Sequence, residues 1–83
     1  MKKFEDMLID EAVKMRTKLE NELKGISFDT DNKDIKNEVV NINAYISDCK
    51  HFKEKGDAKR AFEAIVFAWG IYECLLSLQL VKK

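Results

Sequence analysis

The sequence predicts an all-α protein, an antiparallel three-helix bundle running up, down and up, and three observations carry that prediction. Apolar residues recur at steps of three and four through three segments of matched length. The chain has no proline, and its 46% hydrophobic and 36% charged residues suit a folded helical chain rather than a disordered one. Finally, Lys55-Gly56-Asp57 spells a helix end, a tight turn and a new helix start within three letters.

The first helix is expected over about residues 3–24, where Phe4, Leu8, Ala12, Met15, Leu19 and Leu23 form one apolar stripe. Gly25 should close it as a left-handed C′ residue, and Ile26, Phe28 and the polar run from Asp29 to Asn32 should form the connection. Asp31 is the expected cap of a second helix over about residues 32–55, whose stripe is Ile35, Val39, Ile42, Ile46, Cys49 and Phe52.

The second helix ends with Lys53 and Lys55, cations suited to the negative end of the helix dipole. Gly56 can take the left-handed conformation that stops the helix, and the Asp57 carboxylate can accept from the free N–H groups that open the next one. Gly56-Asp57 is therefore a tight αα-hairpin, and the helices it joins must run antiparallel and bury facing stripes.

The third helix, over about residues 58–79, is apolar on most of its circumference. One row is Phe62, Ile65, Trp69, Tyr72 and Leu76; a second is Ala61, Ala64, Ala68, Ile71, Leu75 and Leu78; a third is Phe67, Ile71, Cys74 and Leu78. Such a helix must be covered on more than one side. Trp69 is expected to anchor the core with its indole N–H on a partner. Gly70 costs about 1 kcal/mol in a helix interior, which predicts a close backbone or a bend there.

Eighty-three residues make one helical domain spanning 1–83, close to the size at which a core alone holds, so oligomerisation is expected to help. Fifteen basic residues balance fifteen acidic ones, leaving no global field to draw nucleic acid or an anionic membrane. The start meets acidic residues before any apolar run of signal length, and no segment reads as a membrane span, so a cytoplasmic setting is expected. The turn separates Cys49 from Cys74 by about ten residues of helix, roughly 15 Å, which predicts two reduced, buried cysteines rather than a disulfide.

Chemistry-bearing motifs are sparse. Asp48 and His51 share a helix face and Glu63 could approach them, but the set is too small for a metal site in a bundle. Neither cysteine lies near the only histidine, and no serine has a base at useful spacing. No enzymatic activity, cofactor or small-molecule substrate is expected. The third row of the last helix, Phe67, Ile71, Cys74 and Leu78, is the predicted surface for a protein partner or for self-association, most simply as a dimer. The alternative is a nucleic-acid accessory role through Lys50, Lys53, Lys59 and Arg60 at the hairpin tip. Five basic residues there against Glu54 and Asp57 leave a local charge of +3. The acidic start of the first helix, Glu5, Asp6, Asp10 and Glu11, is expected to lie at the same end and complement them.

Lys55-Gly56-Asp57, followed by Arg60-Ala61-Phe62-Glu63-Ala64-Ile65 and Ala68-Trp69-Gly70, resembles an archaeal family known as domain of unknown function 357. The resemblance covers the chain from about Tyr45 onward. It implies a small helical domain in an archaeal cytoplasm and brings no activity or ligand residues. The same turn is similar to one tetratricopeptide hairpin, but a solenoid needs about three such units and only one is present.

Overall fold

A computed structural model describes residues 3–82, with helices α1 (Phe4–Lys24), α2 (Lys33–Glu54) and α3 (Ala58–Ser77) and two short strands, β1 (Ser27–Phe28) and β2 (Val81–Lys82). The hairpin forms as its three letters dictate. Gly56 takes φ 75°. Its N–H donates to the Lys53 carbonyl at 3.0 Å, and the Asp57 N–H donates to the Phe52 carbonyl at 2.8 Å. That pair of bonds is a Schellman stop. Asp57 then turns its side chain forward and accepts from the Arg60 N–H at 3.2 Å, capping α3.

The other helix ends differ from expectation in instructive ways. Gly25 caps α1 with φ −95°, not in the left-handed region, because the chain leaves directly into extended β1 and no reversal is needed. The cap of α2 is Asn32, not Asp31: its Oδ1 accepts from Asp34 N–H at 3.0 Å and Ile35 N–H at 3.3 Å. Asp29 organises the preceding turn, accepting from Asp31 N–H on its side chain and from Asn32 N–H on its carbonyl, which moves the cap one residue on. α3 ends in a second Schellman stop with Gln79 at φ 57° in the glycine position. There the N–H groups of Gln79 and Leu80 donate to the carbonyls of Leu76 and Leu75.

That second stop turns the tail back. Ser27 pairs with Lys82 and Phe28 with Val81 in an antiparallel ribbon, and Ile26, Phe28 and Val81 pack on the core at the end of the bundle remote from the hairpin. The ribbon was absent from the sequence expectation.

Core packing explains the broad apolar surface of α3. Ala58, Ala61, Ala64, Ile65, Ala68, Tyr72 and Leu75 are buried. All of these but Ala58 meet Ala12 and Leu19 of α1 and Ile42, Ile46 and Cys49 of α2 in one cluster. α3 packs along both other helices, whereas α1 and α2 touch each other little. Alanines along the buried ridge let the backbones approach closely. The molecule is elongated, 46 × 19 × 18 Å.

Candidate interaction surface

With α1 on one flank of α3 and α2 on the other, the third side of α3 has no neighbour. The strip that faces outward is Lys59, Glu63, Val66, Phe67, Gly70, Cys74 and Ser77, all exposed and spaced three or four apart. Phe67 is 50% and Val66 41% exposed. At the hairpin end Phe4 and Leu8 of α1 join Phe62, Val66 and Phe67 around an almost wholly apolar groove of about 570 Å³, with Lys59 and Glu63 at its edge.

The four predicted partner residues divide. Phe67 stands at the outer face and also touches the Tyr45 ring of α2, with centroids 5.5 Å apart. Ile71 is half-buried and packs on the core. Cys74 is exposed, and Leu78 is 67% exposed just past the end of α3. α1 does not cover this row. Its lower part runs beside the start of α2 instead, where Ile71, Cys74 and Leu78 line a small groove with Asp34, Ile35 and Glu38. Sequence reasoning missed Phe4 and Val66. Phe4 was placed in the core stripe of α1, but it stands at the rim of the groove beside Lys59 and Phe62 and is 65% exposed.

The basic residues of the tip do not share one surface. Lys50 lines a groove between α1 and α2, Lys59 the groove between α1 and α3, and Arg60 a cleft between α2 and α3. Lys50 is also paired with Glu20 of α1 at 3.2 Å, and the same carboxylate lies 3.5 Å from Arg16 Nε. Arg60 lies 3.6 Å from Asp57 Oδ2. Lys53 is exposed. The expected pairing of tip lysines with Glu5, Asp6 and Glu11 does not form among the described residues.

Trp69 meets its expectation: its Nε1–H donates to the Met15 carbonyl of α1 at 3.0 Å, and its ring stacks edge-on against Tyr72. Gly70 does not. Beyond the helix's own backbone and adjoining residues, a Cβ added there meets no heavy atom within 4 Å among the described residues, so no other backbone comes close, and α3 runs unbroken through it. Both cysteines are free, as expected, but only Cys49 is buried; Cys74 faces outward because it belongs to the uncovered side of α3. Burial pushes the Cys49 thiol up from its ordinary 9.0, with Arg16 opposing, so it is an inert packing residue at neutral pH. Tyr72 is fully buried, and its hydroxyl has no hydrogen-bond partner among the described residues. Desolvation pushes its pKa up from 10.0, and the nearby Glu22 carboxylate adds to this without reaching hydrogen-bond geometry. His51 is exposed against the edge of Phe52, and no group of three or more metal-ligating side chains forms among the described residues.

Comparison with known proteins bears directly on the hairpin and the helix it starts. The model of the family described as protein of unknown function DUF357 matches residues 14–81. The chain belongs to the DUF357 family. The match begins within α1, well upstream of the Tyr45 boundary expected from the motif, so the DUF357 sequence pattern takes in part of α1 and all of α2 and α3, not the hairpin alone. The crystal structure of protein AF1782 from Archaeoglobus fulgidus, also a DUF357 protein, is similar at a TM-score of 0.84 and 36% sequence identity. The similarity covers 98% of this chain and 99% of that one. A search of curated proteins gives no match. No helix among the described residues of this DUF357 chain is long and apolar enough to cross a membrane.

Proposed function

We propose that this DUF357 chain is a non-enzymatic, cytoplasmic interaction module that self-associates through the outer side of α3, most simply as a dimer. The observation that carries this reading is the exposure of Phe67 on the outward side of α3, extended at the hairpin end by Phe4 and Val66 and past the end of the helix by Leu78. A short chain with three helices and one uncovered apolar face gains most by placing a second copy where a fourth helix would stand. Multi-angle light scattering on the wild type and on Phe67→Asp and Leu78→Asp tests it. Both side chains are exposed, so the charge is tolerated in the monomer, and the variants should keep their helicity while losing the higher mass.

Phosphate binding through the tip is the weaker reading, because Lys50, Lys59 and Arg60 line three different grooves and two of them already lie beside carboxylates. Affinity for RNA or DNA that falls steeply with salt would favour it over the protein-binding role.

A further inference from the structure

The hairpin fixes which residues of α2 and α3 stand opposite one another, and it brings a distinct set together on their open flank. Tyr45, Asp48 and Phe52 share one face of α2, and with Arg60, Glu63, Ala64 and Phe67 of α3 they line a cleft of about 260 Å³. Ala64 is buried among them. Aromatic rings are contributed at both ends. Tyr45 and Phe67 are inclined at 44° to each other, and Phe52 carries the Arg60 guanidinium 5.8 Å from its centroid.

Asp48 and Glu63 complete the lining. Neither carboxylate has an ion pair or side-chain hydrogen bond among the described residues. Arg60, the only cation lining the cleft among the described residues, lies 3.6 Å from Asp57 Oδ2 instead. The cleft thus combines two uncompensated carboxylates with π faces, and one ring already holds a cation. Both features select positive charge: the ring quadrupole attracts it, and carboxylates accept its N–H groups in charge-assisted bonds. A divalent metal ion fits poorly, since a hard cation asks for about six or more oxygen ligands and two carboxylates are present.

We propose that this cleft is a binding site for an alkylammonium group, supplied either by a small amine or by a lysine side chain, methylated or not. The cleft shares Glu63 and Phe67 with the outward strip of α3, so the charge readout that separates it from self-association is Asp48→Asn, on α2 and outside that strip.

NMR titration of the full chain with n-butylammonium, with Nα-acetyl-lysine methylamide and with its trimethylated form tests the proposal, alongside a magnesium titration. Saturable shifts centred on Tyr45, Asp48, Glu63 and Phe67 are expected, with a dissociation constant of about 1 mM. Asp48→Asn/Glu63→Gln should weaken binding by about tenfold, the loss of charge-assisted contacts. Tyr45→Leu should weaken it by about fivefold, the cation–π share. Preference for the lysine amides would assign the ammonium to a protein partner, and preference for the free amine to a small molecule; either supports the site. Shifts that fail to saturate, shifts unchanged in the double variant, or magnesium saturating the same residues equally well would overturn it. Circular dichroism confirms the fold of each variant, and Asp48→Asn alone gives the charge readout if the double variant is disturbed.

Discussion

Replacing Gly70 by alanine should stabilise the protein, and the size of the gain follows from the structure. Gly70 lies inside α3, its φ is not positive, and the space a methyl would enter holds no heavy atom within 4 Å. The substitution therefore removes no contact and creates no clash. What changes is the unfolded chain, which loses the extra backbone freedom of glycine, and the helix, which gains the propensity difference of about 0.8–1 kcal/mol. For a domain of this length that corresponds to a rise in Tm of about 4–8 °C. Thermal unfolding followed by circular dichroism at low protein concentration measures it on the monomer. An unchanged or lowered Tm would refute the reasoning, since it would mean that a backbone or side chain occupies the space outside Gly70. Light scattering on the same variant reads a separate quantity, because a methyl in the proposed interface changes the dissociation constant without lowering monomer stability.

Tyr72→Phe removes a buried hydroxyl with no partner while keeping the ring against Trp69, so it should stabilise by about 1 kcal/mol; a loss in urea unfolding would show that Glu22 bonds to the hydroxyl in solution. Gln79→Gly relieves a left-handed residue at the end of α3 and should raise stability by about 0.5–1 kcal/mol, and a decrease would mean that the side chain itself holds the turn. Because the folded-state pKa of Cys49 lies above its ordinary 9.0, the unfolded chain gives up that proton first. Stability should therefore be full below pH 9 and fall as the pH rises beyond it, and Cys49→Ala should flatten this part of the alkaline limb in denaturant titrations. An unaltered slope would place the thiol in contact with water.

The parts of the fold that were legible in sequence are those whose chemistry is local. Gly56 and Asp57 specify a stop and a start through backbone conformation and a capping carboxylate, both within a few residues. Helix periodicity likewise marked α1, α2 and α3. The cap of α2 slipped from Asp31 to Asn32 because Asp29, two residues earlier, competes for the turn, and side chains of similar capping strength cannot be ranked by type alone. The ribbon was illegible for a different reason. Two residues on each side carry no period, and their pairing depends on Gln79 adopting a conformation that glycine usually supplies.

At the candidate surface, the excess apolar width of α3 was visible, but not which row would remain uncovered. That depends on α1 and α2 standing on opposite flanks with little contact between them, a tertiary choice that stripes of equal width do not encode. The cleft shows the same limit. Asp48 pairs in sequence most simply with His51, three residues on, and only the turn register sets it across from Glu63 and among three aromatic rings.

The central claim is that the outer side of α3 is an interface between copies of the chain. Its most direct test is the solution mass of the wild type over a range of concentrations, compared with Phe67→Asp and Leu78→Asp at the same helicity. The proposal expects a dimer that dissociates on dilution and two variants that stay monomeric. A wild type that remains a monomer throughout, with its fold intact, would contradict it.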